Sequence, residues 1–116
     1  MKLHFVWVGK TKNKQWHGLQ EDYLKRLSHF VKYELTEGNR ILEKLNQNAF
    51  VCLLDVDGKS VSSHDLAAQI EKWQNAGLKE IAFIIGGSTG ISPEVAARAD
   101  FRVSLSFLTF THEMAR

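Results

Sequence analysis

The sequence predicts a single α/β domain, built on a parallel β-sheet with helices on both of its faces. Its 116 residues, 44% hydrophobic and 24% charged, suit one ordinary globular domain spanning residues 1–116. Segments that are apolar throughout alternate along the chain with segments whose apolar residues recur at helical spacing. Strands of that kind are typical of parallel sheets, which are buried on both faces, so the alternation indicates β-α-β organisation.

The first half of the chain predicts two strands and two helices. The first strand covers residues 3–9 (LHFVWVG), and an amphipathic helix follows over residues 14–30. A short strand over residues 33–36 leads to a second helix over residues 38–46. Helical spacing predicts the buried side chains of both helices, which are Trp16, Leu19, Tyr23, Leu27 and Phe30 in the first and Ile41, Leu42 and Leu45 in the second.

The second half predicts three strands and two helices. A continuously apolar strand over residues 50–56 ends at a turn formed by Asp57 and Gly58. Ser62 or Ser63 caps the helix that follows. That helix ends at Gly77, and its predicted buried face consists of Leu66, Ile70 and Trp73. A strand follows over residues 80–85. Ser92 and Pro93 then begin a helix over residues 93–99, and the last strand covers residues 101–107.

The charge distribution permits an acidic partner without requiring one. The net charge is +2, and residues 1–48 carry nine Lys or Arg against five Asp or Glu, whereas the remainder carries six against eight. A basic half is suited to contact with RNA, although a solvated helix face produces the same composition. The basic residues concerned include Lys10, Lys12, Lys14, Lys25 and Arg26.

Membrane insertion and secretion are both disfavoured by the sequence. The longest apolar runs fall far short of the roughly 20 residues that a spanning helix requires, and the N-terminal segment MKLHFVWVGK lacks a small-residue cleavage site. The single cysteine, Cys52, lies within the apolar run FVCLLDV and is predicted to be a buried, unreactive thiol. Since one cysteine cannot form an intrachain disulfide, the sequence predicts a cytoplasmic protein.

Three predicted strand ends carry unusual residues, which are Leu54-Asp55, Gly86-Gly87 and the segment from Ser106 onward. The carboxyl ends of parallel strands meet at one edge of a sheet, where such folds bind ligands. The motif GGSTG lacks the lysine of a phosphate-binding P-loop and does not have the spacing GxGxxG. Two interpretations stay open at this point, a plain turn completed by a helix cap at Ser92 and a ligand that approaches bare glycine backbone.

The chain contains five motifs in a fixed order. They are KLHFVWVGK at 2–10, EDYLKRL at 21–27, LDVDGKSVSS at 54–63, FIIGGSTGIS at 83–92 and VSLSFLTFTHEMAR at 103–116. Through them the chain resembles the ribosomal RNA large subunit methyltransferase H family, the SPOUT-class pseudouridine-N3 methyltransferases. The resemblance implies a parallel-sheet α/β fold whose C-terminal part is threaded into a trefoil knot, and a homodimer. It also implies S-adenosyl-L-methionine as cofactor, N3 of a pseudouridine in 23S ribosomal RNA of the ribosome as substrate, and neither a metal nor a membrane.

The resemblance further implies which residues form the site. His112 and Arg116 are its candidates for handling the proton of the target N3, with helix capping and phosphate contact as their alternative roles. Gly86 would lie against the cofactor rather than a phosphate, since it has no side chain to block a close approach. The implied cofactor contacts are Leu54, Gly86, Leu105, Ser106, Phe107, Leu108, Thr109 and Phe110.

The sequence departs from the family pattern in two places. The link KYELTEGNRILEKL between the second strand and the second helix is short, and the family's closing apolar helix and Tyr-His tail do not follow Arg116. These departures predict an incomplete knot, weaker dimerisation and impaired methyl transfer. The competing interpretations are a non-catalytic nucleotide- or ribosome-binding domain and a flavodoxin-like binder. The latter is the weaker, because VGKTKNK offers only Thr11 where flavodoxins place several hydroxyl side chains.

Overall fold

The computed structural model describes residues 1–9, 14–38, 40–86 and 91–104, and of Val56 the backbone alone. The strands described are β1 (Lys2–Val8), β2 (Lys32–Gly38), β3 (Phe50–Ser60), β4 (Glu80–Ile85) and β5 (Phe101–Ser104). The helices described are α1 (Lys14–Leu27), α2 (Ser63–Asn75) and α3 (Pro93–Arg98), and a 3₁₀ turn at Leu42–Lys44 links β2 to β3. None of these helices is long and apolar enough to cross a membrane.

The five strands form one parallel sheet in the order β2-β1-β4-β3-β5, so that β4 is central. The predicted α/β class with a parallel sheet is therefore confirmed. The bounds of β4 coincide with the predicted strand, because its run EIAFII is apolar after the first residue and is buried on both faces. The predicted C-terminal knot, and the end of the strand predicted over residues 101–107, lie outside the described residues.

Two separate cores lie on the two faces of the sheet, since successive side chains of a strand point to opposite sides. On one face, Ile84 of β4 shares a core with Val95 of α3. On the other face, Ile81 of β4 shares a core with Trp73 of α2 and Leu27 of α1. The helices on both faces bury the sheet, as the continuously apolar strands predict.

Local signals set the ends of α2 as predicted. The Ser62 hydroxyl accepts a hydrogen bond from the Asp65 amide at 3.0 Å, and Asp65 Oδ2 accepts one from the Ser62 amide at 3.1 Å. This reciprocal capping box satisfies amides that the start of a helix leaves without backbone partners. Just after the helix, Gly77 has a left-handed φ of 89°, a conformation that favours glycine.

The buried side of α1 differs from the prediction. Leu19, Tyr23 and Phe30 are predicted to be buried, but they are 52%, 66% and 88% exposed, and α1 ends at Leu27 rather than at residue 30. Gln20 is buried in their place. Because residues 20 and 27 are seven positions apart, they share one side of the helix, and the sheet packs against that side. Leu19, Tyr23 and Phe30 are consequently turned to the surface, whereas Leu27 of the same predicted set packs in the core.

Among the described residues of the segment predicted as a second helix, the 3₁₀ turn at Leu42–Lys44 is the only helical part. Ile41 is buried as predicted, whereas Leu42 is 40% exposed. The strand before it is longer than predicted, since β2 continues to Gly38 and pairs there with Val8 of β1. Pairing with the neighbouring strand therefore overrides the local helical pattern in this region.

The turn predicted at residues 57 and 58 is instead part of a bulge inside β3. The ladder between β3 and β5 pairs both Leu54 and Lys59 with Val103, so the residues between them bulge out of the sheet. A Cβ atom at Gly58 would lie 2.8 Å from backbone atoms of β5. Glycine is therefore required for the bulge to lie this close to its neighbour.

Candidate functional site

The carboxyl ends of β1, β4, β3 and β5 meet along one side of the sheet, which we call the carboxyl edge. Leu53 pairs with Ile84 on β4 and with Arg102 on β5, and this register aligns the three strands. Leu54 is the next residue of β3, and Gly86 directly follows β4. The structure thus places both predicted site residues just beyond the last pair of β3 and β4, which is Leu53 with Ile84, and both are half-buried.

The connections around β4 diverge at Gly86, and from this divergence we infer a crevice there. After β1 and β3 the chain crosses to α1 and α2, which pack on one face, whereas after β4 it crosses to α3 on the other face. Where neighbouring strands send their connections to opposite faces, the connections diverge and leave room for a ligand beyond the strand ends. Gly86 has such a divergence on both sides, because β4 lies between β1 and β3.

Polar side chains hold the bulge of β3 beside this crevice. Asp55 Oδ1 accepts a hydrogen bond from the Asp57 amide at 3.0 Å, and Asp55 Oδ2 lies 3.5 Å from Arg102 Nη1. Arg102 Nη2 donates to the Ala96 carbonyl at 3.3 Å, which ties β5 to α3. The side chains of Asp55 and Arg102 are 26% and 49% exposed, so both can still meet a polar ligand. Arg102 is absent from the predicted site, although a charged residue in a short strand was an available signal.

The remaining predicted site residues lie outside the described residues. They are Gly87, Leu105, Ser106, Phe107, Leu108, Thr109, Phe110, His112 and Arg116. The described course of β5 ends at Ser104, which is buried and directly precedes this segment. The cofactor contacts assigned to residues 105–110, and the catalytic roles of His112 and Arg116, stay predictions.

Cys52 is buried, as predicted, and does not belong to the carboxyl edge. Its side chain lies in the core beneath α2, and burial raises the pKa of the thiol to about 12. The thiol is therefore protonated at neutral pH, and the protonated form is not nucleophilic. Cys52 packs the core and does not take part in chemistry.

A second group of polar side chains, which the sequence analysis does not identify, lies at the opposite end of the sheet. Lys2 Nζ lies 2.5 Å from Glu34 Oε2 and 3.4 Å from Glu80 Oε1, and the hydrogen bond to Glu34 raises the pKa of Lys2. Beside them, burial lowers the pKa of His4, against the opposing influence of Glu34 and Glu80. The available signal is the pair of polar residues Lys2 and His4, two positions apart in a strand that is otherwise apolar.

Comparison with known proteins finds relatives along the whole chain. A family model described as "Predicted SPOUT methyltransferase" matches residues 34–116. The ribosomal RNA large subunit methyltransferase H of Desulfotalea psychrophila is 41% identical over 132 residues, and that of Christiangramia forsetii 38% over 135 residues. Each match covers 100% of this chain and 86% of the relative. The putative ribosomal RNA large subunit methyltransferase H of Methanoregula boonei is 39% identical over 138 residues, which cover 100% of this chain and 87% of the relative.

These matches bear on the candidate site in two ways. The carboxyl-edge residues Leu54 and Gly86, and the candidates His112 and Arg116, all fall within the residues 34–116 that the family model covers. The matched spans of 132 to 138 residues also exceed the 116 residues of this chain. The relatives therefore carry residues inside the matched region that this chain lacks.

Proposed function

The chain belongs to the SPOUT methyltransferase family, and we propose that it transfers a methyl group from S-adenosyl-L-methionine to large-subunit ribosomal RNA. The observation that carries the proposal is the divergence of the strand connections at the carboxyl edge, beside Leu54 and Gly86. The similarity over the whole chain to proteins named ribosomal RNA large subunit methyltransferase H supports ribosomal RNA as the substrate.

The described part of the crevice suits the proposed cofactor. Gly86 has no side chain, so a ligand can approach the backbone at the end of the central strand. Leu54 offers an apolar surface of the kind against which an adenine ring packs. We assign residues 105–110 to the same pocket, since they directly follow β5, which is the neighbour of β3. Bound there, S-adenosyl-L-methionine supplies an electrophilic methyl group.

The proposed target atom is N3 of a pseudouridine in 23S ribosomal RNA. This nitrogen carries a proton that must leave as the new carbon–nitrogen bond forms, so a base or a stabilising cation is needed beside it. We assign that task to His112 and Arg116. The fold contributes by holding the target base in line with the methyl group, since correct positioning alone lowers a reaction barrier by several kcal/mol.

The proposal includes a homodimer, a C-terminal trefoil knot and a cytoplasmic site of action, where ribosomes are found. All three follow the pattern of the family. Sedimentation velocity at micromolar concentration tests the dimer, and a monomer under those conditions would contradict that part of the proposal.

The experiment that tests the function has two steps. Calorimetric titration with S-adenosyl-L-methionine is expected to show saturable binding, and its absence would contradict the proposal. Methyl transfer is then measured with unmodified large ribosomal subunits, and the product nucleoside is identified by mass spectrometry as N3-methylpseudouridine. Small ribosomal subunits are the matched control and should receive no methyl group. Binding without transfer would favour the alternative of a non-catalytic nucleotide- or ribosome-binding domain.

A further inference from the structure

Three side chains with metal-binding groups lie together at the amino-terminal end of the sheet, away from the carboxyl edge. We call His4, Glu34 and Glu80 the strand-start cluster. They come from three adjacent strands, since His4 on β1 pairs with Glu34 on β2, and Glu80 begins β4 on the other side of β1. One imidazole nitrogen and one carboxylate oxygen of each glutamate lie within 4.8 Å of one another. In the described part of the chain, no other group of three such side chains comes this close.

The imidazole of His4 has one nitrogen engaged and one without a partner. His4 is 1% exposed, and its Nε2 lies 2.7 Å from the Thr36 hydroxyl. Its Nδ1 is buried and has no hydrogen-bond partner among the described residues. A buried polar atom of this kind is costly unless a partner satisfies it. With the proton on Nε2, the ring donates to Thr36 and its Nδ1 lone pair is free, as in a metal-bound histidine whose other nitrogen bonds to an oxygen.

The two glutamates of the strand-start cluster are already held around a cation. Lys2 Nζ lies 2.5 Å from Glu34 Oε2 and 3.4 Å from Glu80 Oε1. Asn46 Nδ2 fixes the Glu80 carboxylate further, at 3.0 and 2.8 Å from its two oxygens. The Lys2 side chain is 38% exposed, so its ammonium group can leave the carboxylates for solvent. Nothing in this arrangement uses the free nitrogen of His4, since the ammonium group of Lys2 contacts the two carboxylates and no described atom bonds to Nδ1.

We propose that His4, Glu34 and Glu80 form a binding site for a divalent transition-metal ion such as Zn²⁺, which replaces the ammonium group of Lys2. One imidazole nitrogen and two carboxylate oxygens are three protein ligands of the types that Zn²⁺ accepts, with the fourth position left to water. The nitrogen ligand favours this class of ion over Mg²⁺ and Ca²⁺, which prefer oxygen throughout. The ion takes no part in the proposed methyl transfer, since the strand-start cluster lies at the other end of the sheet.

The expected role of the ion is structural. β2 is an edge strand, and along its length only β1 pairs with it in the sheet described here. An ion bound by one ligand from each of β2, β1 and β4 would join the edge strand to the central strand. A ligand that binds the folded state alone stabilises it, so Zn²⁺ should raise the melting temperature.

The test is a calorimetric titration of Zn²⁺ into the full chain at neutral pH, after removal of metals with a chelator. We expect one ion per chain and a higher melting temperature with Zn²⁺ than with Mg²⁺. Glu34→Gln is the informative variant, because its half-exposed side chain can be changed without disturbing a core. It should weaken binding by at least about tenfold, the effect that loss of even a supporting group produces at metal sites. Lys2→Met should strengthen binding by about tenfold, because it removes the competing positive charge.

His17→Gln is the matched control, since exposed His17 lies 3.5 Å from Glu21 and offers a histidine–carboxylate pair on the surface of α1. Its affinity for Zn²⁺ should equal that of the unchanged chain. Circular dichroism verifies that each variant is folded. The proposal is overturned if Zn²⁺ does not bind saturably, if a folded Glu34→Gln variant binds as tightly as the unchanged chain, or if His17→Gln is the variant that loses binding. It is also overturned if Lys2→Met weakens binding.

Discussion

Two glycines of this chain are required for different physical reasons. Gly58 lies against β5, where a Cβ atom would be 2.8 Å from backbone atoms of Arg102 and Val103. Gly86 directly follows the central strand, at the crevice in which we propose that the cofactor binds. A side chain at Gly58 should therefore impair folding, whereas a side chain at Gly86 should impair ligand binding.

Gly58→Ala is expected to lower the free energy of unfolding by about 1–3 kcal/mol, the usual cost of forcing an extra carbon atom into a packed site. The clash is with backbone, which cannot rotate away as a flexible side chain would. Urea denaturation measures the change. Gly18→Ala is the control, since a Cβ atom there meets nothing within 4 Å, and alanine should stabilise α1 slightly. Equal denaturation midpoints for Gly58→Ala and the unchanged chain would refute the close contact.

Gly86→Val is expected to abolish binding of S-adenosyl-L-methionine while the protein stays folded. The valine side chain would fill the space that the proposed cofactor occupies beside the backbone. Calorimetry measures the affinity, and circular dichroism verifies the fold. Gly18→Val adds the same side chain on the exposed surface of α1 and should leave the affinity unchanged. A folded Gly86→Val variant that binds normally would remove Gly86 from the cofactor pocket.

At the scale of single elements, the N-terminal cap of α2 consists of one reciprocal pair of hydrogen bonds between Ser62 and Asp65. Ser62→Ala removes the hydroxyl that accepts from the Asp65 amide, and it should lower the free energy of unfolding by about 1 kcal/mol. Thermal unfolding is the measurement. Ser63→Ala is the control, because Ser63 is exposed and the cap is formed by its neighbour. If both variants have the same melting temperature, and it is lower than that of the unchanged chain, the capping assignment is wrong.

The same pair makes the stability of α2 depend on pH. The backbone hydrogen bond from Ser62, aided by the Ser62 side chain, lowers the pKa of Asp65 from its ordinary value of 3.8. The folded state thus prefers the charged carboxylate, so this contribution is present above pH 3.8 and is lost as pH falls through the lower pKa of the folded state. Asp65→Asn should therefore destabilise the protein at pH 7 and have a smaller effect at pH 3. An equal effect at both values would contradict this linkage.

At the scale of the whole molecule, the basic N-terminal part is the expected RNA-facing surface. Lys14, Lys25 and Arg26 of α1 are exposed. Association with ribosomes should weaken steeply as salt rises, because contacts with phosphates release counterions. The double variant Lys14→Glu with Lys25→Glu should weaken association further and leave the affinity for S-adenosyl-L-methionine unchanged. Lys72→Glu with Lys79→Glu changes the net charge equally at exposed residues outside the basic N-terminal part and serves as the control. Association that is independent of salt would argue against this surface.

The candidate site could be predicted only in part. The order of family motifs identifies Leu54 and Gly86, and the parallel register places both just beyond the last pair of β3 and β4. Arg102 was missed because its contact with Asp55 joins residues far apart in sequence. The strand-start cluster was missed for the same reason, since His4, Glu34 and Glu80 meet only when three strands align. The roles of residues 105–110, His112 and Arg116 stay predictions.

The sequence by itself determined the features that depend on neighbouring residues. Burial on both faces requires a continuous apolar run, which locates β4, and the adjacent hydroxyl side chains locate the start of α2 at Ser62 or Ser63. The tertiary structure decided what depends on distant partners. The helical spacing of the apolar residues predicts that Tyr23 is buried, but packing against the sheet selects Gln20, three positions earlier in α1, as the buried residue. Likewise, residues around Gly58 form a bulge rather than a turn because β5 lies beside them, and local sequence carries no information about that neighbour.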